Sequence, residues 1–265
     1  MNAIVITGAS DGIGAEMARQ WAARGKADIA LVLAARSVDK LEAVAQTCRA
    51  SGARVLVQRC DVGVQADCIA LMAAAVQAFG RIDTLVNNAG MSAHANFEDV
   101  TDLGWYETLM RINHWGSVWC THAALPHLKA SRGRVVAVAS LAGLIGVPGR
   151  TAYSGTKFAM IGFFEALRIE LVESGVSVTI AYPGVVATEI RYRGFNAAGQ
   201  AAGKSGLDES GAMSVEECAR LIVDGAEARR RDIVMSTKGK LGRWMKLIAP
   251  RMVDRMALRA LKQHT

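Results

Sequence analysis

Apolar positions along this 265-residue chain switch repeatedly between two spacings. Short runs at 3–7, 29–34, 54–59, 84–87, 134–139, 176–182 and 233–235 read as strands. Between them apolar residues recur at helical spacing, over 12–24, 38–50, 64–79, 103–129, a stretch holding residue 153 and ending near 173, and 215–230. The run at 29–34 is almost wholly apolar, as for a strand covered on both faces. The stretch 103–129 is expected to be one long helix bent near Gly116, and Ser214-x-x-Glu217 is a capping box for the last helix. Strand and helix alternate throughout. That predicts an α/β, doubly wound, single-domain fold, with helices on both faces of a parallel sheet and right-handed crossovers. Ligands bind such sheets beyond the carboxyl ends of the strands. Gly8, Arg36, Asp61, Asn87, Ser140 and Pro183 stand at six of those ends.

Two segments break the rhythm. Residues 188–213 are rich in Gly and Ala without a clean period, as in a lid or binding loop. The tail 238–265, set apart from a body of 1–237, holds eight of the chain's basic residues against Asp254 alone. That difference equals the net charge of the whole chain, +7, so the body is neutral. A general nucleic-acid surface is therefore not expected. Within the tail, Leu241, Trp244, Met245 and Ile248 form an apolar stripe flanked by Lys240, Arg243 and Lys246. Pro250 breaks that helix, and Arg251, Arg255, Arg259 and Lys262 line the next. Such helices suit an anionic membrane surface, and equally a docked position on the body or a partner subunit.

Five cysteines without C-x-x-C spacing point to reduced thiols, with no metal site. The run at 3–6 is too short for a signal peptide, and no stretch reaches a membrane span. A cytoplasmic protein, at most peripheral to a membrane, is expected. The histidines show no ligand spacing. His114 reads as structural, and His94 lies near the crevice by position.

Tyr153 and Lys157 are four apart on a helix and share a face. A free phenol titrates near pH ~10, and a neighbouring ammonium favours its ionised form. Alone, the pair could be an ordinary exposed one. Thirteen positions upstream stands Ser140, which alone could be a strand-end hydroxyl. Near the start, Thr7-Gly8-x-x-x-Gly12-x-Gly14 follows a strand and opens a helix. Glycines there let the backbone approach a pyrophosphate at the helix N-terminus, or simply make a tight turn. At the end of the second strand, Arg36 and Ser37 stand where NAD enzymes tend to carry a carboxylate. A guanidinium there can pair with a 2′-phosphate, which favours NADP(H).

These motifs occur in one order: T-G-x-x-x-G-x-G, Asn87-Asn88-Ala89-Gly90, Asn113, Ser140, Tyr153-x-x-x-Lys157 and Pro183-Gly184. The set resembles the short-chain dehydrogenase/reductase family, over roughly residues 1–237. The resemblance implies a Rossmann-type seven-stranded sheet, a nicotinamide cofactor and hydride transfer at a carbonyl or alcohol. It implies Tyr153 as general acid/base, Ser140 as hydrogen-bond partner of the substrate oxygen, and Lys157 as the group that lowers the Tyr153 pKa and holds the ribose. Asn113 would order a relay water. Gly8, Ser10, Asp11, Gly12, Ile13 and Gly14 would form the pyrophosphate turn, and Asp61 and Val62 the adenine contact. Asn87, Ala89 and Gly90 would wall the adenosine ribose. Pro183, Gly184, Val186 and Thr188 would complete the cofactor site, Thr188 meeting the carboxamide. Hydroxysteroid-dehydrogenase-like members often carry membrane-facing C-termini, which suits a lipophilic ketone or alcohol. The long helices suit a homodimer or homotetramer. A non-catalytic nucleotide sensor or scaffold of the same fold is the alternative, and the intact Ser140, Tyr153 and Lys157 set speaks against it.

Overall fold

The computed structural model describes residues 1–203, 205 and 211–262. Part of the expected 188–213 loop, and tail residues 263–265 with His264, therefore lie outside the described residues. Strands β1 (Asn2–Thr7), β2 (Ile29–Ala35), β3 (Arg54–Arg59), β4 (Thr84–Asn87), β5 (Arg134–Val138), β6 (Ser177–Tyr182) and β7 (Asp232–Val234) pair in parallel. Among the described residues they make one seven-stranded sheet of order β3-β2-β1-β4-β5-β6-β7. The order reverses between β1 and β4, so the crevice beyond their carboxyl ends is the switch point.

Side chains alternate across each strand, and the two faces build two cores. On one face Ile4, Ile6, Leu31 and Leu33 meet α1 (Gly12–Gly25), α2 (Val38–Ala50) and α7 (Val215–Glu227), through Met17, Trp21, Leu41 and Ile222. On the other, Val5, Val32, Leu85 and Val135 meet α3 (Gln65–Phe79), α5 (Gly116–Ser131) and α6 (Thr151–Glu170), through Leu71, Cys120 and Phe164. Each such large side chain, fully buried, contributes about 1.5–3 kcal/mol of transfer free energy. Ser214 Oγ accepts from the Glu217 N–H, so the predicted cap of α7 is present.

The helix expected over 103–129 is three pieces. A short α4 (Gly104–Met110) passes into a single π-helical stretch, Arg111–Trp115, and then into α5. The π stretch turns Asn113 wholly inward. Gly116 follows directly, its Cα facing the Val62 carbonyl, which a Cβ would meet at 2.7 Å. The catalytic-motif helix also ends earlier than 173: α6 stops at Glu170 and a 3-10 turn, Val172–Ser174, follows.

The tail forms α8 (Thr237–Ile248) and α9 (Pro250–Lys262). The first of these docks on the body by its glycine side. A Cβ at Gly239 would lie 2.6 Å from Leu141 Cδ2, and one at Gly242 2.8 Å from Ile145 Cδ1. Arg243 bonds Asp232 at 3.1 Å and Lys246 Nζ bonds the Leu144 carbonyl at 2.9 Å. Most of the stripe points away: Leu241, Trp244 and Ile248, with Leu247 beside them, are 60–83% exposed. Only Met245 of the expected stripe is half-buried. Among the described residues no helix is long and apolar enough to cross a membrane.

Candidate active site

One cavity of about 700 Å³ runs along the switch point, within the size range of small-molecule sites. Its first wall is the turn between β1 and α1. Gly12 has φ +52°, a left-handed conformation costly for other residues, and a Cβ there would lie 3.3 Å from Thr188 Cγ2. Asp11 occupies the N-cap of α1 but makes no side-chain cap. Its carboxylate pairs instead with Arg193, at 2.8 Å. The first N–H groups of α1 thus receive no side-chain cap from that position, a ready anion seat.

The second wall is the end of β4. Thr7 Oγ1 accepts from the Asn88 and Ala89 N–H groups at 3.0 Å, and Asn88 Nδ2 donates to the Thr7 and Gly8 carbonyls. This lattice ties the glycine turn to β4, and Asn88, Ala89 and Gly90 line the cavity. Asn87 is not among the lining residues. It is buried, and its amide donates to Thr121 on α5. Strand alternation explains the swap: neighbours at a strand end face opposite ways. Gly14 is not among the lining residues either. It lies behind the turn, and a Cβ there would sit 2.3 Å from the Gly8 carbonyl oxygen. Its role is close packing.

Arg36, Ser37 and Lys40 gather where β2 meets α2, with Asp61 and Val62 beyond β3. Lys40 was not foreseen; its signal is its place four residues after Arg36, in the first turn of α2. Asp61 Oδ1 accepts from the Gly63 N–H, holding its own turn.

At the other end, Ser140 is the N-cap of a 3-10 turn, Leu141–Gly143, and its hydroxyl accepts from the Ala142 N–H at 3.1 Å. That bond uses one of the hydroxyl's two lone pairs, and its O–H is left to donate. Tyr153 and Lys157 lie on the inward face of α6, both buried. Lys157 Nζ donates to the Val138 carbonyl at 3.0 Å, contacts Met160 Sδ at 3.8 Å, and lies 5.8 Å from the Tyr153 ring centre. Burial alone would push the Tyr153 phenol up. Lys157, Arg150, a hydrogen bond with Ser140 and Arg191 outweigh it and bring the phenol below its ordinary value. Burial also lowers the Lys157 ammonium, Tyr153 opposing.

The side-chain amide of Asn113 is fully engaged. Both donors of its amide are spent, on the Met91 carbonyl at 2.9 Å and Thr156 Oγ1 at 3.0 Å, while its Oδ1 accepts from the Met91 N–H. It braces the segment after Gly90 against α6 rather than lining the cavity. Arg150 and Arg191 also line the cavity and were not foreseen; the signal for Arg150 is its place three residues before Tyr153, whereas Arg191 comes from the loop after β6. Pro183, Gly184, Val186 and Thr188 line the cavity beyond β6, as do Ser10 and Ile13 in the turn. His94 lies outside the lining, beside Gly149. Cys60 lines it, but a hydrogen bond with Cys68 and burial push its thiol well up, so it is a poor nucleophile.

A family model described as short chain dehydrogenase matches residues 2–197. Among curated proteins, 11-beta-hydroxysteroid dehydrogenase-like 4A of Arabidopsis thaliana is 38% identical over 254 residues, covering 94% of this chain and 81% of the relative. The 11-beta-hydroxysteroid dehydrogenase 1A of the same plant is 34% identical over 258 residues, covering 95% and 73%. Among solved structures, a short chain dehydrogenase/reductase from Burkholderia phymatum in complex with NAD superposes with TM-score 0.82 at 25% identity, covering 95% of this chain and 94% of that one. The alcohol dehydrogenase of Thermococcus sibiricus complexed with 5-hydroxy-NADP gives 0.75 at 26%, covering 88% and 94%.

Proposed function

The chain belongs to the short chain dehydrogenase family of oxidoreductases, and from that premise we propose that it interconverts a lipophilic carbonyl compound and its alcohol using NADP(H). The observation that carries this is the meeting of Ser140, Tyr153 and Lys157 in the same cavity as an uncapped helix N-terminus. The adenosine end fits a nucleotide bearing an extra phosphate. Arg36 and Lys40 supply two cations there, and Asp11, the carboxylate of the glycine turn, is already neutralised by Arg193.

When bound, the cofactor supplies or accepts the hydride. In the reducing direction the substrate oxygen gains negative charge, and Tyr153 gives its phenolic proton to that oxygen. Ser140 donates a hydrogen bond to the same atom, and this pair stabilises charge only as it develops. Lys157 holds the phenol poised for release and keeps one of its three N–H donors for ribose hydroxyls, the others meeting Val138 O and Met160 Sδ. Asn113 acts indirectly, by fixing Met91 against Thr156. Apolar side chains in the same cavity lining, such as Leu141, Val147 and Ile190, favour a lipophilic substrate.

The same proposal includes a cytoplasmic location, a homodimer or homotetramer built on α5 and α6, where Trp115 just before α5 and Ile169 on α6 are exposed, and contact of α8 and α9 with an anionic membrane surface. A panel of lipophilic ketones assayed with NADPH tests the chemistry. Native protein is expected to turn over at least one of them, with Tyr153→Phe slower by about 10²–10⁴-fold. Equal turnover by both proteins would sink the mechanism. NADPH binding without turnover of any ketone or alcohol would favour a sensor.

A further inference from the structure

We propose that Arg150 is a second cation of the acid/base centre, clamped over the Tyr153 ring so that it acts with Lys157 in setting the protonation of that phenol. It rests on the reading of Tyr153 as the acid/base, and it acts through Tyr153, not on substrate. Arg150 is the N-cap position of α6, three residues before Tyr153. Lys157 stands four residues after, so the two cations flank the phenol along one helix. The guanidinium carbon of Arg150 lies 4.2 Å from the ring centre, closer than the Lys157 ammonium at 5.8 Å.

Two neutral groups hold it there. Nη2 donates to Ser92 Oγ at 2.6 Å and Nε donates to the Ala93 carbonyl at 3.3 Å. Both come from the segment that follows Gly90, so the clamp spans the cavity mouth between β4 and α6. Among the described residues no carboxylate pairs with Arg150, and its charge is not cancelled locally. Arginine keeps its charge under such desolvation, where a lysine would lose it more easily. A cation on a phenol face is attracted to the neutral ring and more strongly to the phenolate. The charged groups acting on Tyr153 are Lys157, Arg150 and, from the loop after β6, Arg191; all three are cationic. Against burial, which favours the neutral phenol, one ammonium is thus reinforced by a fixed guanidinium.

The sign follows directly. Removing Arg150 destabilises the phenolate, so Tyr153 ionises at higher pH. Alcohol oxidation, which needs the phenolate, then rises at higher pH. Ketone reduction, which needs the phenol, persists to higher pH. The test is a spectrophotometric titration of tyrosinate, with Tyr153→Phe subtracted to isolate this residue among the chain's four tyrosines. In Arg150→Met the Tyr153 midpoint is expected to rise by about one pH unit. In Arg150→Lys, whose ammonium lacks the fork needed to hold both anchors, it is expected to rise by less. Ser92→Ala, which loosens the clamp and keeps the charge, gives a smaller rise again. The oxidation profile shifts in step with each.

An unchanged midpoint in folded Arg150→Met overturns the proposal. Should that variant not fold, unchanged midpoints in both Arg150→Lys and Ser92→Ala overturn it as well. A purely structural role would lower stability and leave the midpoint where it was. The two readings fail separately. Turnover surviving in Tyr153→Phe would remove the catalytic role of Tyr153, whereas the titration reads the influence of Arg150 on the phenol without any substrate.

Discussion

Arg36 stands exposed at the end of β2, with Lys40 one helical turn on and the N-terminus of α2 between them. A charge-assisted hydrogen bond contributes about 1.5–3 kcal/mol, close to 10–100-fold in affinity. Arg36→Ala is therefore expected to weaken NADPH by about that factor and NADH several-fold less, read by titration of reduced-nucleotide fluorescence. Equal losses would refute the assignment of the 2′-phosphate. Other positions turn on similarly small differences. Asn87 and Asn88 are adjacent, yet one amide is used in the core and the other holds the glycine turn. Asn113 has the same chemical capacity, but both its donors are consumed by Met91 and Thr156.

At the scale of elements, the β1–α1 turn works because three backbones approach closely. Gly14→Ala would place a methyl 2.3 Å from the Gly8 oxygen and 2.5 Å from Asn88 Nδ2, in backbone and lattice that cannot yield cheaply. It is expected to cost about 1–3 kcal/mol, as overpacking does, and to weaken nucleotide binding. Gly162→Ala supplies the contrast. That glycine is exposed within α6 with nothing within 4 Å of its added methyl, so a gain of about 0.5–1 kcal/mol is expected. Denaturant unfolding of the two variants measures both signs. The π stretch before α5 is likewise an element-scale device, since it turns Asn113 inward while leaving α4 and α5 helical.

Over the whole molecule, charge and apolar surface are separated. The body is neutral, and the tail holds the full excess of +7 beside exposed Leu241, Trp244, Leu247 and Ile248. Because α8 sits on Leu141 and Ile145, next to Ser140, removing the tail would disturb the site as well as any lipid contact. The cleaner variant is Trp244→Ser with Leu247→Ser, which leaves the docked glycine face intact. Co-sedimentation with vesicles rich in anionic lipid is expected for the native protein, to fall steeply as salt rises past about 0.1 M, where the Debye length is ~10 Å, and to be largely lost in the double variant. Salt-independent binding would remove the electrostatic part.

The alternation of short apolar runs with helical spacing was enough to predict seven parallel strands, since periodicity encodes which side of each element is buried. The pair Tyr153 and Lys157 was legible for the same reason: residues four apart on a helix share a face whatever surrounds them. The glycine turn, Arg36 and Ser140 could be placed at strand ends because a parallel sheet sends all its carboxyl ends to one edge. Contacts between chain-distant residues were not local properties. Which of Asn87 and Asn88 faces the cavity, how Asn113 spends its donors, and that Arg150 reaches Ser92 over the Tyr153 ring depend on how β4, α5 and α6 pack. The tail illustrates the division most plainly. Its sequence determined an amphipathic helix, and only the packing of Gly239 and Gly242 against Leu141 and Ile145 decided that the apolar stripe faces outward, because backbone can approach that surface closely only where no Cβ intervenes.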